Sequence, residues 1–299
     1  MNEGELASLR KAGAVAREAR ELGANMVAEG VTLLDVAEAV EDHIISKGAR
    51  PAFPCNISLN EVAAHFTPRT GDKLRFANGD LVKIDVGAHV NGYIGDTAMT
   101  VEVGTRNWTN LIESSARGLA VAMEIIGEGI LLNAVGGAVD RAIRSNGHVP
   151  ITNLTGHSMK QFNLHAGISV PNFDDGGAVR VPGDIVLAVE PFATNGAGQV
   201  RNSKPGNIYR IIRERELRDK AAAEHFSLLQ ENFGTLPFCE RWATALDPKA
   251  SVHLRMLVRH GLVFAYPILT EVRGGKVSQK EHTVVIHDSV AEITTLDAH

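Results

Sequence analysis

The sequence predicts an α+β fold made of two related halves, and three observations lead to this prediction. A segment that begins at Glu29 recurs 99 residues later, two strands joined by a tight turn follow its first copy, and helical and strand-like patterns alternate along the chain. With 299 residues, 44% of them apolar, the chain is long enough to bury a large core. We therefore expect two similar units packed about a pseudo-twofold axis.

Composition excludes several classes of function. The formal charge of −5 argues against nucleic acid as the main partner. Cys55 and Cys239 are too few for a disulfide framework, which favours a reducing, cytoplasmic location. The N-terminus is charged and lacks an apolar signal core, and the chain contains no apolar run of about 18 residues, so no membrane contact is expected.

Two helices and a strand open the chain. Apolar residues spaced for one face predict a helix from Glu5 to about Glu29. Thr32, with Asp35 three residues later, is typical of a helix start, and Gly48 is typical of its end. The segment Ala52 to Leu59 has the pattern of a strand.

The repeat aligns EGVTLLDVAEAVEDHIISKG, which starts at Glu29, with EGILLNAVGGAVDRAIRSNG, which starts at Glu128, without gaps. Glu, Gly, Leu, Val, Ile, Ser and the closing Gly recur in register, and Pro51 aligns with Pro150. We interpret this as a duplicated helix–helix–strand unit, although Ala-, Val- and Gly-rich helices can also resemble each other by chance. Duplicated halves commonly form a site on the seam between them.

The hairpin contributes two carboxylates. Alternation of Val82, Ile84 and Val86 with other residues predicts a strand, and Asn91-Gly92 is a strong turn signal. The return strand then brings Asp96 beside Asp85, each among apolar neighbours. Two buried like charges need a cation or a proton, whereas two surface acids would need neither.

The second half contributes three further candidates. His157 lies in a Gly-rich polar stretch, Glu190 ends an apolar strand just before a proline, and Glu281 begins another apolar strand. Each has an ordinary structural interpretation when considered alone. With Asp85 and Asp96 they make four carboxylates and one imidazole, a set that is too acidic for a structural zinc and suits two ions of Mn, Fe, Co or Zn.

Four separated motifs are similar to the metal-binding signatures of the methionine aminopeptidases. They are DVGAHVNGYIGDTAMTV from Asp85, GHSMKQFNLHAG from Gly156, AVEPF from Ala188 and QKEHTVVI from Gln279. The resemblance extends over nearly the whole chain and implies the pita-bread (creatinase/aminopeptidase) fold. It also implies a metal-dependent enzyme that removes N-terminal methionine from nascent proteins when the second residue is small.

A segment between the last two motifs indicates the subtype. ENFGTLPFCERWATAL, from Glu231, resembles the helical insertion of the type 2 enzymes, and the absence of a long charged N-terminal extension resembles the compact archaeal form. We expect a catalytic domain formed by residues 1–194 and 262–299 and an inserted helical subdomain at 195–261. Apolar residues at loose helical spacing within a charged segment predict that the insertion begins with a helix from Ile208 to about Gln230.

The resemblance assigns roles to individual residues. It implies that Asp85 chelates one metal, that Asp96 and Glu281 bridge two, and that His157 and Glu190 complete the second. The ions would be two divalent cations per chain, of Co, Mn, Fe, Zn or Ni. Glu190, His65 and His165 would be catalytic: Glu190 would transfer a proton, and the two histidines would hydrogen-bond the substrate. The resemblance also places His65 where epoxide inhibitors such as fumagillin alkylate type 2 enzymes.

Substrate binding requires an apolar pocket, to which the resemblance assigns Phe53, Leu164 and Tyr266 beside His65 and His165. The expected partners are the N-termini of nascent polypeptides, with possible proximity to the ribosome, and the expected state is a monomer. Two alternatives stay open: an Xaa-Pro peptidase of the same fold, and a metal-free pita-bread protein that only binds partners. The chain departs from the family pattern at four positions, Phe66, Asn91, Gly95 and Phe162, none of which is an implied metal ligand.

Overall fold

A computed structural model describes residues 1–296 of the protein. Its α-helices are α1 (Glu3–Met26), α2 (Leu33–Ser46), α3 (Thr109–Ile125), α4 (Leu132–Ser145), α5 (Lys220–Phe233), α6 (Glu240–Leu246) and α7 (Ala250–Arg259). The strands of the first half are β1 (Arg50–Pro51), β2 (Asn56–Leu59), β3 (Val62–Ala64), β4 (Leu81–Val90) and β5 (Tyr93–Glu102).

The remaining strands lie after α4. They are β6 (Val149–Pro150), β7 (Gly156–Met159), β8 (Ser169–Val170), β9 (Ile185–Val189), β10 (Phe192–Thr194), β11 (Val200–Ile211), β12 (Phe238–Cys239), β13 (Val263–Glu271), β14 (Val277–Gln279), β15 (His282–His287) and β16 (Val290–Ile293). Helices and mainly antiparallel sheets are both abundant, so the α+β prediction is confirmed.

The repeat read from the sequence recurs in the secondary structure. Helix α4 begins and ends 99 residues after α2, and β6 begins and ends 99 residues after β1. The Thr32 hydroxyl caps α2 by accepting a hydrogen bond from the Asp35 amide at 3.0 Å. Leu131 at the equivalent position of α4 makes no side-chain cap. The two copies therefore share their length and position but not the chemistry of their helix starts.

The hairpin forms as predicted. Asn91 and Gly92 both have positive φ, 52° and 84°, as a two-residue turn with a right-handed strand twist requires. In the resulting register Asp85 pairs with Ala98 and Gly87 pairs with Asp96. Helix α1 covers the back of this hairpin, and buried apolar side chains of α1, α2, β2 and β4 form a common core.

A second sheet, in the order β16-β15-β9-β7-β8, meets the hairpin along one seam. Thr283 of β15 accepts a hydrogen bond from the Asp96 amide and donates one to its carbonyl, both at 2.8 Å. The buried Thr97 hydroxyl donates to the Glu281 carbonyl at 2.8 Å. Backbone and hydroxyl groups thus hold the two sheets in a fixed relation where the predicted ligands lie.

The region predicted as an insertion differs in one respect from the prediction. Residues 208–211 continue strand β11, which pairs with β13, and a helix starts only at Lys220. The predicted helix from Ile208 was wrong there because a neighbouring strand satisfies the backbone and outweighs loose helical spacing. We call α5 to α7 (residues 220–259) the helical insertion. The domain boundaries at 195 and 261 stay a prediction.

The helical insertion has its own apolar core, to which Phe226, Leu229, Leu254 and Leu257 contribute. A buried ion pair joins it to the first half: Arg241 donates to both carboxylate oxygens of Glu41, at 2.6 and 2.9 Å. No helix within residues 1–296 has the length and hydropathy needed to cross a membrane.

Candidate metal centre

All ten residues predicted to form the site line one cavity of about 260 Å³ between the hairpin, the second sheet and the helical insertion. They are Phe53, His65, Asp85, Asp96, His157, Leu164, His165, Glu190, Tyr266 and Glu281. Their positions along the chain span both halves of the repeat, so the cavity lies where the duplicated units meet.

The hairpin register places Asp85 and Asp96 on the same face. Asp96 lies opposite Gly87, two residues along the strand from Asp85, so the two carboxylates are diagonal neighbours. Gly87 leaves room for the wall of the cavity, because a Cβ at that position would overlap the Phe53 ring. Each aspartate is therefore presented by a regular strand rather than by a loop.

The second sheet supplies the other three side chains. His157 of β7 is paired with Ala188 of β9, and Glu190 follows directly after β9. The Nε2 atom of His157 lies 3.7 Å from Asp96 Oδ2 and 3.9 Å from Glu190 Oε1. Glu281 immediately precedes β15, and its amide donates to the Ala98 carbonyl of β5 at 3.0 Å. This last bond ties the two sheets together at a predicted ligand.

The four carboxylates are crowded together, with Asp96 and Glu281 buried and Asp85 and Glu190 half-buried, and this raises the pKa of each. Burial raises the pKa of Asp85 to about 7. Burial first, and then the charges of the neighbouring carboxylates, raise the pKa values of Asp96, Glu190 and Glu281 well above their usual range. The Arg20 guanidinium offsets only part of this effect at Glu281. Such a cluster is stable in its ionised form only when positive charge is supplied.

These residues fit divalent cations. Asp85 Oδ1 and Asp96 Oδ1 are buried and have no hydrogen-bond partner within the described chain, so two carboxylate oxygens are available as ligands. One ligand atom each from Asp96, His157 and Glu281 lies within 4.8 Å of the others. Since metal–ligand bonds are about 2.0–2.2 Å long, atoms at these separations can share an ion. Burial and His165 lower the pKa of His157 to about 3, which keeps its imidazole in the neutral form that binds metals.

His65 occupies a constrained position on one wall. Its backbone has a positive φ of 65°, which is uncommon for a residue with a side chain. Its Nδ1 lies 3.2 Å from the Pro267 carbonyl oxygen. Because a carbonyl can only accept, Nδ1 carries the proton, and the lone pair of the neutral ring is on Nε2. Burial lowers the pKa of His65, which favours this neutral tautomer.

His165 lies at the mouth of the cavity, with its ring centroid 4.4 Å from that of His157. Loss of hydration between the walls, followed by the positive charge of Arg210, lowers its pKa to about 4. Although its side chain is accessible from the cleft, His165 is thus neutral near pH 7. It can donate one hydrogen bond and accept another.

Several lining residues were absent from the predicted set: Asn56, Asn153, Thr155, Ile208 and Pro237. Asn56 lies in the segment predicted as a strand, and the structure pairs this strand with β4 so that Asn56 lies opposite Asp85. Its Oδ1 is buried and has no partner in the described part of the protein. Pro237 reaches the cavity only because the helical insertion packs beside it, and no local sequence pattern predicts that contact.

Comparison with known proteins places this geometry in context. Residues 7–287 match the model of metallopeptidase family M24. A methionine aminopeptidase of Archaeoglobus fulgidus is 44% identical over 287 residues, which cover 96% of this chain and 97% of that protein.

Solved structures share the fold at lower identity. A thermophilic Arx1 superposes with a TM-score of 0.86 at 15% identity, over 98% of this chain and 91% of that one. A methionine aminopeptidase of Thermotoga maritima superposes with a TM-score of 0.72 at 22% identity, over 99% and 98% of the two chains. The pita-bread fold expected from the sequence motifs is thereby confirmed.

Proposed function

The chain belongs to metallopeptidase family M24 and, within it, to the methionine aminopeptidases, and we propose that it removes the N-terminal methionine of polypeptides with two divalent ions held in the cavity. The observation that carries this proposal is the convergence of four buried or half-buried carboxylates, two of them with unpartnered oxygens, on one imidazole. Asp85, Asp96, His157, Glu190 and Glu281 are the residues that would hold these ions.

When bound, such a pair of ions acidifies a water molecule and polarises the scissile carbonyl group. Glu190, at the rim of the carboxylate cluster and 3.9 Å from His157 Nε2, would hold the proton released on attack and deliver it to the leaving amine as the peptide C–N bond breaks.

The neutral histidines orient the substrate in this scheme. His165, at the mouth of the cavity, donates a hydrogen bond to the carbonyl oxygen, where negative charge develops during attack. His65 accepts a hydrogen bond from the peptide nitrogen through the lone pair on its Nε2. The apolar side chains of Phe53, Leu164 and Tyr266 receive the methionine side chain, because a flexible apolar group is best held in an apolar cavity.

The second residue of the substrate must pass between the carboxylate cluster and the wall formed by Ile208 and Pro237. A large side chain there displaces the carbonyl from its reactive position, and a shift of about 1 Å can cost on the order of 10²-fold in rate. Peptides that begin Met-Gly, Met-Ala, Met-Ser, Met-Thr or Met-Val should therefore be cut, and those that begin Met-Lys, Met-Glu or Met-Phe should not.

The test is kcat/KM across this peptide series with the metal ion held constant. Equal rates on Met-Lys and Met-Ala peptides would contradict the proposed pocket. A preference for Ala-Pro peptides over Met-Ala-Ser would reassign the chain to the Xaa-Pro peptidases. Absence of turnover with every divalent metal tested would favour a binding protein without catalysis.

The proposed substrate sets the proposed location and partners. Nascent polypeptides carry the N-terminal methionine, so we expect action in the cytoplasm, near the ribosome, by a single chain whose site is complete without a partner. Sedimentation with and without ribosomes measures both expectations at once.

A further inference from the structure

A second cluster of metal-ligating side chains lies outside the cavity, in the helical insertion. His225 comes from α5, His253 comes from α7, and Asp247 lies between α6 and α7. Asp247 Oδ2 is 3.1 Å from His225 Nδ1 and 2.8 Å from His253 Nδ1. One ligand atom from each of the three lies within 4.8 Å of the others. We call these residues the His–Asp–His cluster.

His225 is not satisfied by the protein around it. Its side chain is only 1% exposed, yet neither ring nitrogen has a hydrogen-bond partner among residues 1–296. The nearby Asp247 oxygen lies 3.1 Å from Nδ1 and partly offsets the effect of burial on the pKa of His225. A buried imidazole with two unmet nitrogens costs free energy that a ligand bound to one of them would recover.

The protonation states also suit a ligand set. Burial lowers the pKa of His225, so its imidazole is neutral. The Lys249 amide donates to Asp247 Oδ1 at 2.9 Å, and this bond is the main reason that the pKa of Asp247 is lowered. Oδ2 is thus an ionised oxygen whose companion oxygen is already fixed in place. Neutral imidazole and ionised carboxylate are the forms in which these groups bind metal ions.

We propose that the His–Asp–His cluster binds one zinc ion through two imidazole nitrogens and one carboxylate oxygen. Two nitrogens and one oxygen are typical of four-coordinate zinc and are a poor set for calcium or magnesium, which prefer oxygen. His253 and Asp247 remain 13% and 20% exposed, so water can complete the coordination.

The ion would join α5 to the segment between α6 and α7. Both belong to the helical insertion, and residues between them in sequence supply Pro237 to the wall of the cavity. Zinc at this cluster therefore has a structural role, separate from hydrolysis. The inference does not depend on the proposed function, because it concerns only these three side chains.

The test compares the zinc content of three full-length proteins: wild type, His253→Gln and His260→Gln. His260 ends the same helix, is exposed and lies outside the cluster, which makes its variant the matched control. After dialysis against zinc, we expect His253→Gln to retain one zinc ion per chain fewer than the other two. Ions in the cavity are common to all three proteins and cancel in the difference. Equal zinc content in all three would overturn the proposal.

A second measurement uses only the wild-type protein, in case His253→Gln does not fold. Diethyl pyrocarbonate modifies accessible neutral imidazoles, and peptide mass spectrometry identifies each modified residue. With zinc at about ten times its dissociation constant, modification of His253 should slow about tenfold, while that of His260 should not change. If zinc leaves the rate of His253 modification unchanged, the cluster only links these elements by hydrogen bonds and does not bind zinc.

Discussion

The cavity and the His–Asp–His cluster use the same types of side chain in opposite proportions. The cavity holds four carboxylates and His157 as proposed ligands, whereas the cluster holds two imidazoles and Asp247. Full ionisation would give a formal charge of −4 in the first and −1 in the second. The balance of carboxylate and imidazole side chains sets how much positive charge a site requires, and hence how many ions it can hold.

Their positions differ as well. The cavity lies on the seam between two sheets and has room for a substrate, whereas the cluster lies among three elements of one small helical unit. Ions on a seam can act on a molecule that enters between the two halves. An ion inside a helical unit can only stabilise it.

The largest expected effect is that of Asp96→Asn in the cavity. The substitution weakens a proposed bridge to both ions, so kcat/KM on a Met-Ala-Ser peptide should fall by several orders of magnitude. The fold should persist, because the amide removes one of four crowded negative charges. Circular dichroism checks the fold, and His260→Gln serves as the active control. If Asp96→Asn turned over substrate nearly as fast as the control, the cavity would not be the catalytic site that distinguishes it from the His–Asp–His cluster.

The ion pair that joins the helical insertion to the first half should be the next most sensitive contact. Arg241→Ala leaves the buried Glu41 carboxylate without its charge partner, which should lower the free energy of unfolding by about 3–5 kcal/mol. Urea denaturation measures the loss. The double variant Glu41→Met with Arg241→Met removes both charges and should recover most of it. A single variant as stable as wild type would mean that the ion pair adds nothing beyond the other contacts of the helical insertion, such as the hydrogen bond from Trp242 Nε1 to Glu41.

His65→Asn should have an intermediate effect that is confined to catalysis. Loss of one hydrogen-bonding group at the reacting amide costs on the order of 10²–10³-fold in kcat. The type 2 resemblance adds a chemical readout, since fumagillin should add one inhibitor mass to the peptide that contains His65, and none to the variant. Modification at another residue would contradict the type 2 assignment.

The smallest expected effect is a pH dependence of stability in chelated protein. Carboxyl groups with a raised folded pKa keep protons that the unfolded chain has already lost, so unfolding releases protons and stability falls as pH rises. Asp85 makes this contribution up to its pKa of about 7, and its neighbours, whose pKa values are raised well above their usual range, extend it to higher pH, so Tm should fall between about pH 6.5 and 8.5.

Two comparisons isolate this effect. Buried neutral histidines oppose it only below about pH 6.5, where the unfolded chain gains protons. The His–Asp–His cluster should not add to it, because the pKa values of His225 and Asp247 are lowered. Calorimetry of chelated and metal-loaded protein at both pH values is the measurement. A Tm that rises with pH in the chelated protein would mean that the carboxylates are not protonated when the ions are absent.

The hairpin and its aspartates could be predicted because their signals are local. A period of two and the Asn91-Gly92 turn determine the register, and the register determines which face each carboxylate occupies. Glu190 and Glu281 were found for a similar reason, since each adjoins an apolar strand. These are properties of short segments that tertiary packing did not overrule.

Other features depend on contacts between distant segments. Strand β11 continues through residues 208–211 because β13 pairs with it, and no local pattern contains that information. The His–Asp–His cluster was missed for the same reason, because its members come from three elements that meet only when their shared core forms. The spacing of His225, Asp247 and His253 matches no short metal-binding motif.

The close approach of α1 to the hairpin restricts how this protein can change by mutation. A Cβ at Gly95 would lie 2.6 Å from the Gly13 backbone, and one at Gly13 would lie 2.6 Å from the Thr294 side chain. Alanine at Gly95 is therefore incompatible with the present position of the helix. It becomes tolerable only after changes that let α1 move outward, so the order in which substitutions arise decides which of them survive. The residues that the hairpin can carry on the side that contacts α1 thus depend on the substitutions that α1 already contains.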